Sequence, residues 1–325
     1  MRAVMLTATG GPETLVTREV PEPSPAAGEV LVRTEATPVL FVETQIRSGV
    51  FPVPTGLPAV FGTQAAGVVT EVGAGVDPAL VGTRVVVAGM GIGAHAELVC
   101  APAESAVPIP DGLSCVDAAT VVMGGSVALA LLETARLSGD DTILIEAAGT
   151  GVGGYLTQLA RSRGAGTIIA TAGSPENRER ARSFGADITI DHTEPDWADR
   201  LPEALRGDTI DVAFESVGGS SSLAVLDAMT PLVGRMLYYG MLSGTPAAVT
   251  SSDLLARGLS LTGCSGPAWL ARVAITQSTV LELAANGSIA PIIDTVLGFD
   301  DAGHAHERIE LRHAKGMFVL TPEKG

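Results

Sequence analysis

Gly149, Gly151 and Gly154 stand at G-x-G-x-x-G spacing within the run TILIEAAGTGVGGYLTQLARSRGAG. An apolar segment runs into them and an amphipathic one leaves, which predicts a strand, a tight turn and a helix start. In that setting small residues let backbone N–H groups and the positive end of the helix face a pyrophosphate with no side chain between. A purely structural glycine turn is the weaker alternative. About twenty residues further on, an acid closing the second strand would take the adenosine ribose hydroxyls of NAD. The chain reads IIATAGSPENRERAR there, and no Asp or Glu ends the strand. Ser174 and Arg178 are placed instead to take the extra phosphate of NADP. Arg180 and Arg182 read as solvated charges on a helix face.

A second stretch, ATPVLFVETQIRSGVFP from Ala36 to Pro52, reads as a turn that closes a binding pocket. Leu40, Phe41 and Val42 within it offer no nucleophile, acid or metal ligand. An apolar wall of Leu40, Phe41 and Phe51 suits hydride transfer between two carbons, which needs close approach, alignment and exclusion of water more than a strong acid or base. The oxygen that develops on the acceptor needs a donor or a proton. Gln45, through its amide, and His95 are the candidates, and His95 reads equally as a buried spacer on a strand. Glu43 reads as structural and Arg47 as the partner of a carboxylate. The three cysteines, Cys100, Cys115 and Cys264, are too few for a four-thiolate zinc site and too widely spaced for a disulfide framework. Cys264, in a loop after Gly263, is the one that could line a cavity. The five histidines are scattered, with His304 and His306 read as solvated positions on a late helix.

Two scaffolds must position these residues. The first hundred residues carry short β-type runs, EVLVRTEA, AAGVVTEVG, TRVVVAG and AELVCAP, separated by Pro and Gly, which predicts an antiparallel, barrel-like domain. From about Cys115, strands DTILIEA, GTIIATA, ADITI and TIDVAFES alternate with helices starting at Val152, near 176–184 and near 197–205. That rhythm marks a parallel sheet covered on both faces. A long helix over 269–286 stops at Asn286-Gly287, and a helix near 302–311 with the strand GMFVLTP reads as a tail returning to the first domain. With 325 residues, 46% hydrophobic content and a mean hydropathy of +0.36, the chain can fill two cores. A net charge of −16, from 20 basic and 36 acidic side chains, excludes nucleic acid and anionic membranes as expected partners. The opening MRAVMLTATGG has the pattern of neither a signal peptide nor a spanning helix, so the expected compartment is the cytosol.

In order along the chain, MRAVMLTATGGPETL, PEPSPAAGEVLVR, IRSGVFP, AAGVVTEVGAGV, AGTGVGGYLTQLARSRGA, DVAFESVGG, GRMLYYGMLSG and AHERIELRHAKGMFVLTP resemble the signature stretches of the zinc-independent quinone oxidoreductases of the medium-chain dehydrogenase/reductase superfamily. The resemblance implies an α/β chain with a GroES-like β-barrel substrate domain over 1–121 and 266–325 and a Rossmann doubly wound parallel sheet over 122–265. It implies NADPH as cofactor and hydride delivery to a quinone or an α,β-unsaturated carbonyl. Carried over by motif, Gly149, Thr150, Gly151, Val152 and Gly153 hold the pyrophosphate, Ser174 and Arg178 the adenosine phosphate, and Gly240, Met241 and Ser243 the nicotinamide side. Ser216 and Val217 follow the strand beneath the cofactor, and Ser126 offers a hydroxyl. Leu40, Phe41, Phe51, Gln64 and Cys264 line the substrate pocket. No metal is implied, because Leu40 stands where metal-dependent relatives carry Cys and Gly62-Thr63-Gln64 where they carry Gly-His-Glu.

The chain departs from the family pattern at Leu40 and Gln45, which lack the usual polar anchor and phenol. It departs again at Thr150, Asn177 and Val127. A homodimer is expected from the strand LSLTG at a sheet edge. Two alternatives stand beside the quinone or enone reductase: an NADPH-binding module with little turnover, and a specialised biosynthetic enoyl or ketone reductase. A metal-dependent alcohol dehydrogenase would need tightly bound zinc.

Overall fold

Alternating apolar and polar residues in the first hundred positions fold as expected into strands that bury one face. The computed structural model describes residues 1–53, 55–88 and 93–322. Its early elements are β1 (Arg2–Leu6), β2 (Leu15–Glu19), β3 (Glu29–Pro38), α1 (Phe41–Ser48), β4 (Ala59–Val60), β5 (Gln64–Val72), β6 (Arg84–Ala88), β7 (Leu98–Pro102), β8 (Ala106–Pro108) and α2 (Cys115–Ala135). Val30, Val32, Ala65, Val69, Val85 and Val87 supply a core of small and β-branched side chains. Such residues fit a pleated surface closed on itself. IRSGVFP, read as a turn, lies half in α1; Gly49, at φ 86°, ends the helix in the left-handed conformation that favours glycine.

The central elements alternate strictly: β9 (Asp141–Ile145), α3 (Gly151–Ala160), β10 (Ala165–Ala172), α4 (Pro175–Ser183), β11 (Ile188–Asp191), α5 (Leu201–Leu205), β12 (Val212–Glu215), α6 (Ser221–Asp227), β13 (Arg235–Tyr238), α7 (Ser251–Arg257), β14 (Ser260–Gly263) and α8 (Pro267–Ala285). The six strands form one parallel sheet in the order β11-β10-β9-β12-β13-β14. The order reverses between β9 and β12, so the crevice at their carboxyl ends is the topological switch point, where open α/β sheets bind ligands. The helix expected near 197–205 is shorter than read: a 3₁₀ turn over Ala198–Arg200 precedes α5. Pro202 is tolerated only in the first turn of a helix, which fixes where α5 starts.

The chain closes with β15 (Ile293–Gly298), α9 (Ala302–Glu310) and β16 (Met317–Thr321). Strand β16 pairs with β3, setting Val319 opposite Pro38, and Phe318 and Leu320 pack with Val4, Val39 and Phe299. The tail therefore completes the first sheet. Residues divide into two compact units, 1–123 with 277–325 and 124–276. Both divisions fall inside long helices, α2 and α8, where no break in composition marks the crossing. The resemblance places the second crossing at 266, ahead of α8. Helix α2 is long and apolar enough to cross a membrane, yet 78% of its apolar window is buried, as in a core helix.

Candidate active site

In the unit 124–276, close contacts at Gly149 and Gly153 and a left-handed backbone at Gly151 shape the glycine loop. A Cβ on Gly153 would lie 2.5 Å from the Ala147 carbonyl oxygen, and one on Gly149 would lie 2.5 Å from Asn177 Cβ. Gly151 has open space around it but sits at φ 53°, and Ala147 shares that left-handed region at φ 52°. The loop is pinned to β10 by Ala148 N donating to Thr171 O at 2.8 Å and Ala147 N to Thr171 Oγ1 at 3.2 Å. Thr150 is the N-cap of α3 and makes no side-chain cap hydrogen bond. The first-turn amides of α3 are thus left for an anion, with the helix dipole behind them. This arrangement fits a pyrophosphate.

Arg180, read as a solvated charge, instead donates to the Gly149 carbonyl at 3.3 Å and braces the loop. Arg182 is the surface ion pair expected, with Glu179 at 3.1 Å. Ser174 caps α4, its hydroxyl accepting from Asn177 N at 3.1 Å. Arg178 lies beside that cap, but its Nη1 is already committed to Asp191 at 2.5 Å. Hydrogen bonds from Thr193, joined by Arg178, hold the Asp191 carboxyl below its ordinary range.

Segments 216–218 and 240–243 are laced together. Leu242 N donates to Ser216 O at 2.9 Å and Ser243 N to Val217 O at 2.8 Å. A Cβ on Gly240 would strike Ser216 O at 2.8 Å, so glycine is required where the two segments meet. Ser216, Val217, Gly240, Met241 and Ser243 are therefore one patch at the ends of β12 and β13. Met241 is 38% exposed on it. Ser126 and Cys264 do not join the exposed surface of this unit. Ser126 is fully buried in α2, and its carbonyl accepts from Thr276 Oγ1. Cys264 is 3% exposed and its thiol turns to Thr262 O, while burial pushes the thiol up to about 11.

In the unit 1–123 with 277–325, α1 exposes Phe41 and Val42, and the turn after it exposes Val50 and Phe51. Leu40 faces inward and leaves the apolar surface to the two phenylalanines. Gln45, half-buried on α1, directs its amide nitrogen to Thr44 Oγ1 at 3.1 Å. Glu43 is structural, as read: fully buried, it accepts from Leu40 N, Thr63 N and Thr63 Oγ1. Gln64 is a core residue, donating to Ala119 O at 2.7 Å.

His95 corrects the expectation of a proton source open to solvent. It is fully buried, with Nε2 3.3 Å from Pro38 O and 3.6 Å from Glu43 Oε2. His306, read as solvated, is buried against Phe61, and burial, with His95 and Arg47 nearby, pushes it down to about 3. His304 is exposed, as read, and Arg47 pairs with the Glu310 carboxylate. No group of three or more His, Cys, Asp or Glu side chains able to hold a metal occurs among the described residues.

Sequence reasoning passed over Glu146 and Glu215, both at the switch point and both buried. The signal was present as an acid directly after three apolar residues in each of TILIE and VAFES.

A family model for the alcohol dehydrogenase GroES-like domain matches residues 26–111, and one for the zinc-binding dehydrogenase domain matches 151–285. A quinone oxidoreductase of Salmonella typhimurium is 35% identical, covering 96% of this chain and 97% of that protein. A 2-haloacrylate reductase of a Burkholderia species is 31% identical, covering 99% of both. Among solved structures, Escherichia coli quinone oxidoreductase complexed with NADPH superposes with a TM-score of 0.89 at 32% identity, covering 99% of this chain and 100% of that one.

Proposed function

The chain belongs to the quinone oxidoreductase family of the medium-chain dehydrogenases/reductases, and we propose that it is an NADPH-dependent reductase of a quinone or an α,β-unsaturated carbonyl. The observation that carries this reading is the glycine loop at the switch point, whose close contacts exclude side chains and whose helix start is uncapped. The amides of 151–153 would hold the pyrophosphate, Ser174 and Arg178 the adenosine phosphate, and the patch of Ser216, Val217, Gly240, Met241 and Ser243 the nicotinamide end. When bound, NADPH supplies a hydride to an electron-poor carbon.

The protein's part is then to hold, dry and neutralise. Phe41 and Phe51 offer flat apolar surface that binds the acceptor and displaces water. Gln45 offers an amide N–H toward the oxygen that gains charge, and the proton that completes the product comes from solvent, since His95 is enclosed. No side chain in this scheme needs a metal; Leu40, Thr63 and Gln64 supply no soft ligand. The exposed edge of β14 supports a homodimer, and the free thiols of Cys100, Cys115 and Cys264 a reducing, cytosolic setting.

The test is NADPH oxidation, followed by absorbance, with a panel of quinones, enones and 2-haloacrylates. The reading expects turnover with at least one class and a preference for NADPH over NADH. Binding of NADPH with no oxidation across the panel defeats the enzymatic reading and leaves a nucleotide-binding module. Elemental analysis showing stoichiometric zinc defeats the metal-free scheme.

A further inference from the structure

Two acids close neighbouring strands at the switch point. Glu146 follows β9, Glu215 ends β12, Phe214 stands opposite Ile145 in register, and Glu146 N donates to Phe214 O at 3.2 Å. The carboxyls are 1% and 0% exposed. One oxygen of each is used: Glu146 Oε2 accepts from Ser216 N at 3.1 Å, and Glu215 Oε1 accepts from Val217 N at 2.9 Å and Gly218 N at 2.6 Å. The other two, Glu146 Oε1 and Glu215 Oε2, are buried without a partner. No basic side chain is ion-paired with either among the described residues. Just after β13 they face the Tyr239 hydroxyl; from β10, Thr171 takes the Ala147 amide and engages His192 Nδ1. Segment 216–218 contributes amides.

Two carboxylates buried side by side with no countercharge are strongly unfavourable, and one proton between them removes the repulsion and satisfies both idle oxygens. We propose that Glu146 and Glu215 share one proton between Oε1 and Oε2, and that this singly charged pair positions the 216–218 amides and spares the dinucleotide end of the sheet a second negative charge. The second half rests on the NADPH reading; the first does not. Both acids are positioning residues.

The sign follows from the environment. Burial, then the neighbouring Glu215, hold the Glu146 carboxyl well above its ordinary 4.5. An acid raised in the folded state contributes stability that is full below the ordinary value and is lost as pH rises through the folded one. Losing the proton also places a second charge near the phosphates, so NADPH affinity falls over the same rise.

Infrared spectroscopy of the cofactor-free protein at about pH 7, where ordinary carboxyls are ionised, is expected to show a protonated carboxylic acid band. Glu146→Gln and, independently, Glu215→Gln are each expected to remove that band, because an amide then donates where the proton sat. Fluorescence titration between about pH 6 and about pH 9 is expected to show the wild-type Kd for NADPH rising by up to about tenfold per pH unit beyond the pair's titration, and a flatter profile in either variant. Absence of the band in the wild type, or its persistence in every variant that folds, overturns the shared proton. Superimposable Kd profiles overturn the link to the cofactor. Should NADPH bind at no pH, the proposed function fails, while the band and the pH slope of urea unfolding still decide the proton.

Discussion

Arg178 is occupied before any phosphate arrives, and that occupancy makes its role testable. A charge-assisted hydrogen bond contributes about 1.5–3 kcal/mol, so Arg178→Ala is expected to weaken NADPH binding by about ten- to hundredfold and to leave NADH binding unchanged. Asp191→Asn releases the guanidinium and is expected to tighten NADPH binding; both constants are read by fluorescence titration. A weakening of both dinucleotides alike would show that Arg178 supports the fold of α4 and not the phosphate. Gly153→Ala places a methyl against backbone oxygen at 2.5 Å, and such overpacking costs about 1–3 kcal/mol. The expected outcome is a lower melting temperature together with weaker binding of both dinucleotides. Single residues were legible where the structure is local, as in the glycine turn at Gly149 and Gly151. Glu146 and Glu215 were not, because they lie far apart in sequence and only the strand order β9-β12 sets them side by side. His306 escaped for the same reason: a histidine on a helix rich in polar residues looks solvated until its neighbours close over it.

At the level of elements, hydrophobic period and turn residues identified β3, β5, β6, β7 and β16 of the first unit and β9 to β12 of the parallel sheet, and placed α4, α8 and α9 within a residue or two of where they lie. Helix α1 was hidden because the glycine and proline that follow it dominate the local pattern, and its exposed face is apolar instead of polar. Its stop signal gives a clean measurement. Gly49 at φ 86° would force a substituted residue into the left-handed region, and a Cβ there meets Thr9 at 3.4 Å, which is ordinary contact. Gly49→Ala is therefore expected to cost about 1–2 kcal/mol through backbone conformation alone. That lowers the melting temperature by about 2–4 °C in calorimetry. An unchanged melting temperature would mean that the α1 terminus frays freely.

For the molecule as a whole, the open sheet edge is the feature with the widest reach. On β14, Ser260 N and Cys264 N donate inward to Gly234 O and Tyr238 O, so the amides of Leu261 and Gly263 point to the unpaired side. A lysine on such an edge discourages pairing with another copy. Gly263→Lys, where a Cβ meets nothing within 4 Å, is expected to shift sedimentation velocity from dimer to monomer with little change in melting temperature. A wild-type protein that sediments as a monomer removes the basis for this prediction. The return of β16 to β3 governs something else, the order of events during synthesis. Unit 124–276 is contiguous and holds all six of its strands before residue 277 is made. The first 123 residues must leave the ribosome and wait with the Thr37–Pro38 end of β3 unpaired, until Val319 and Leu320 emerge to cover it. A chain cut short before Met317 should thus carry a finished nucleotide unit beside a permanently unsealed partner, and a chaperone that binds exposed strands would meet that partner on every nascent copy.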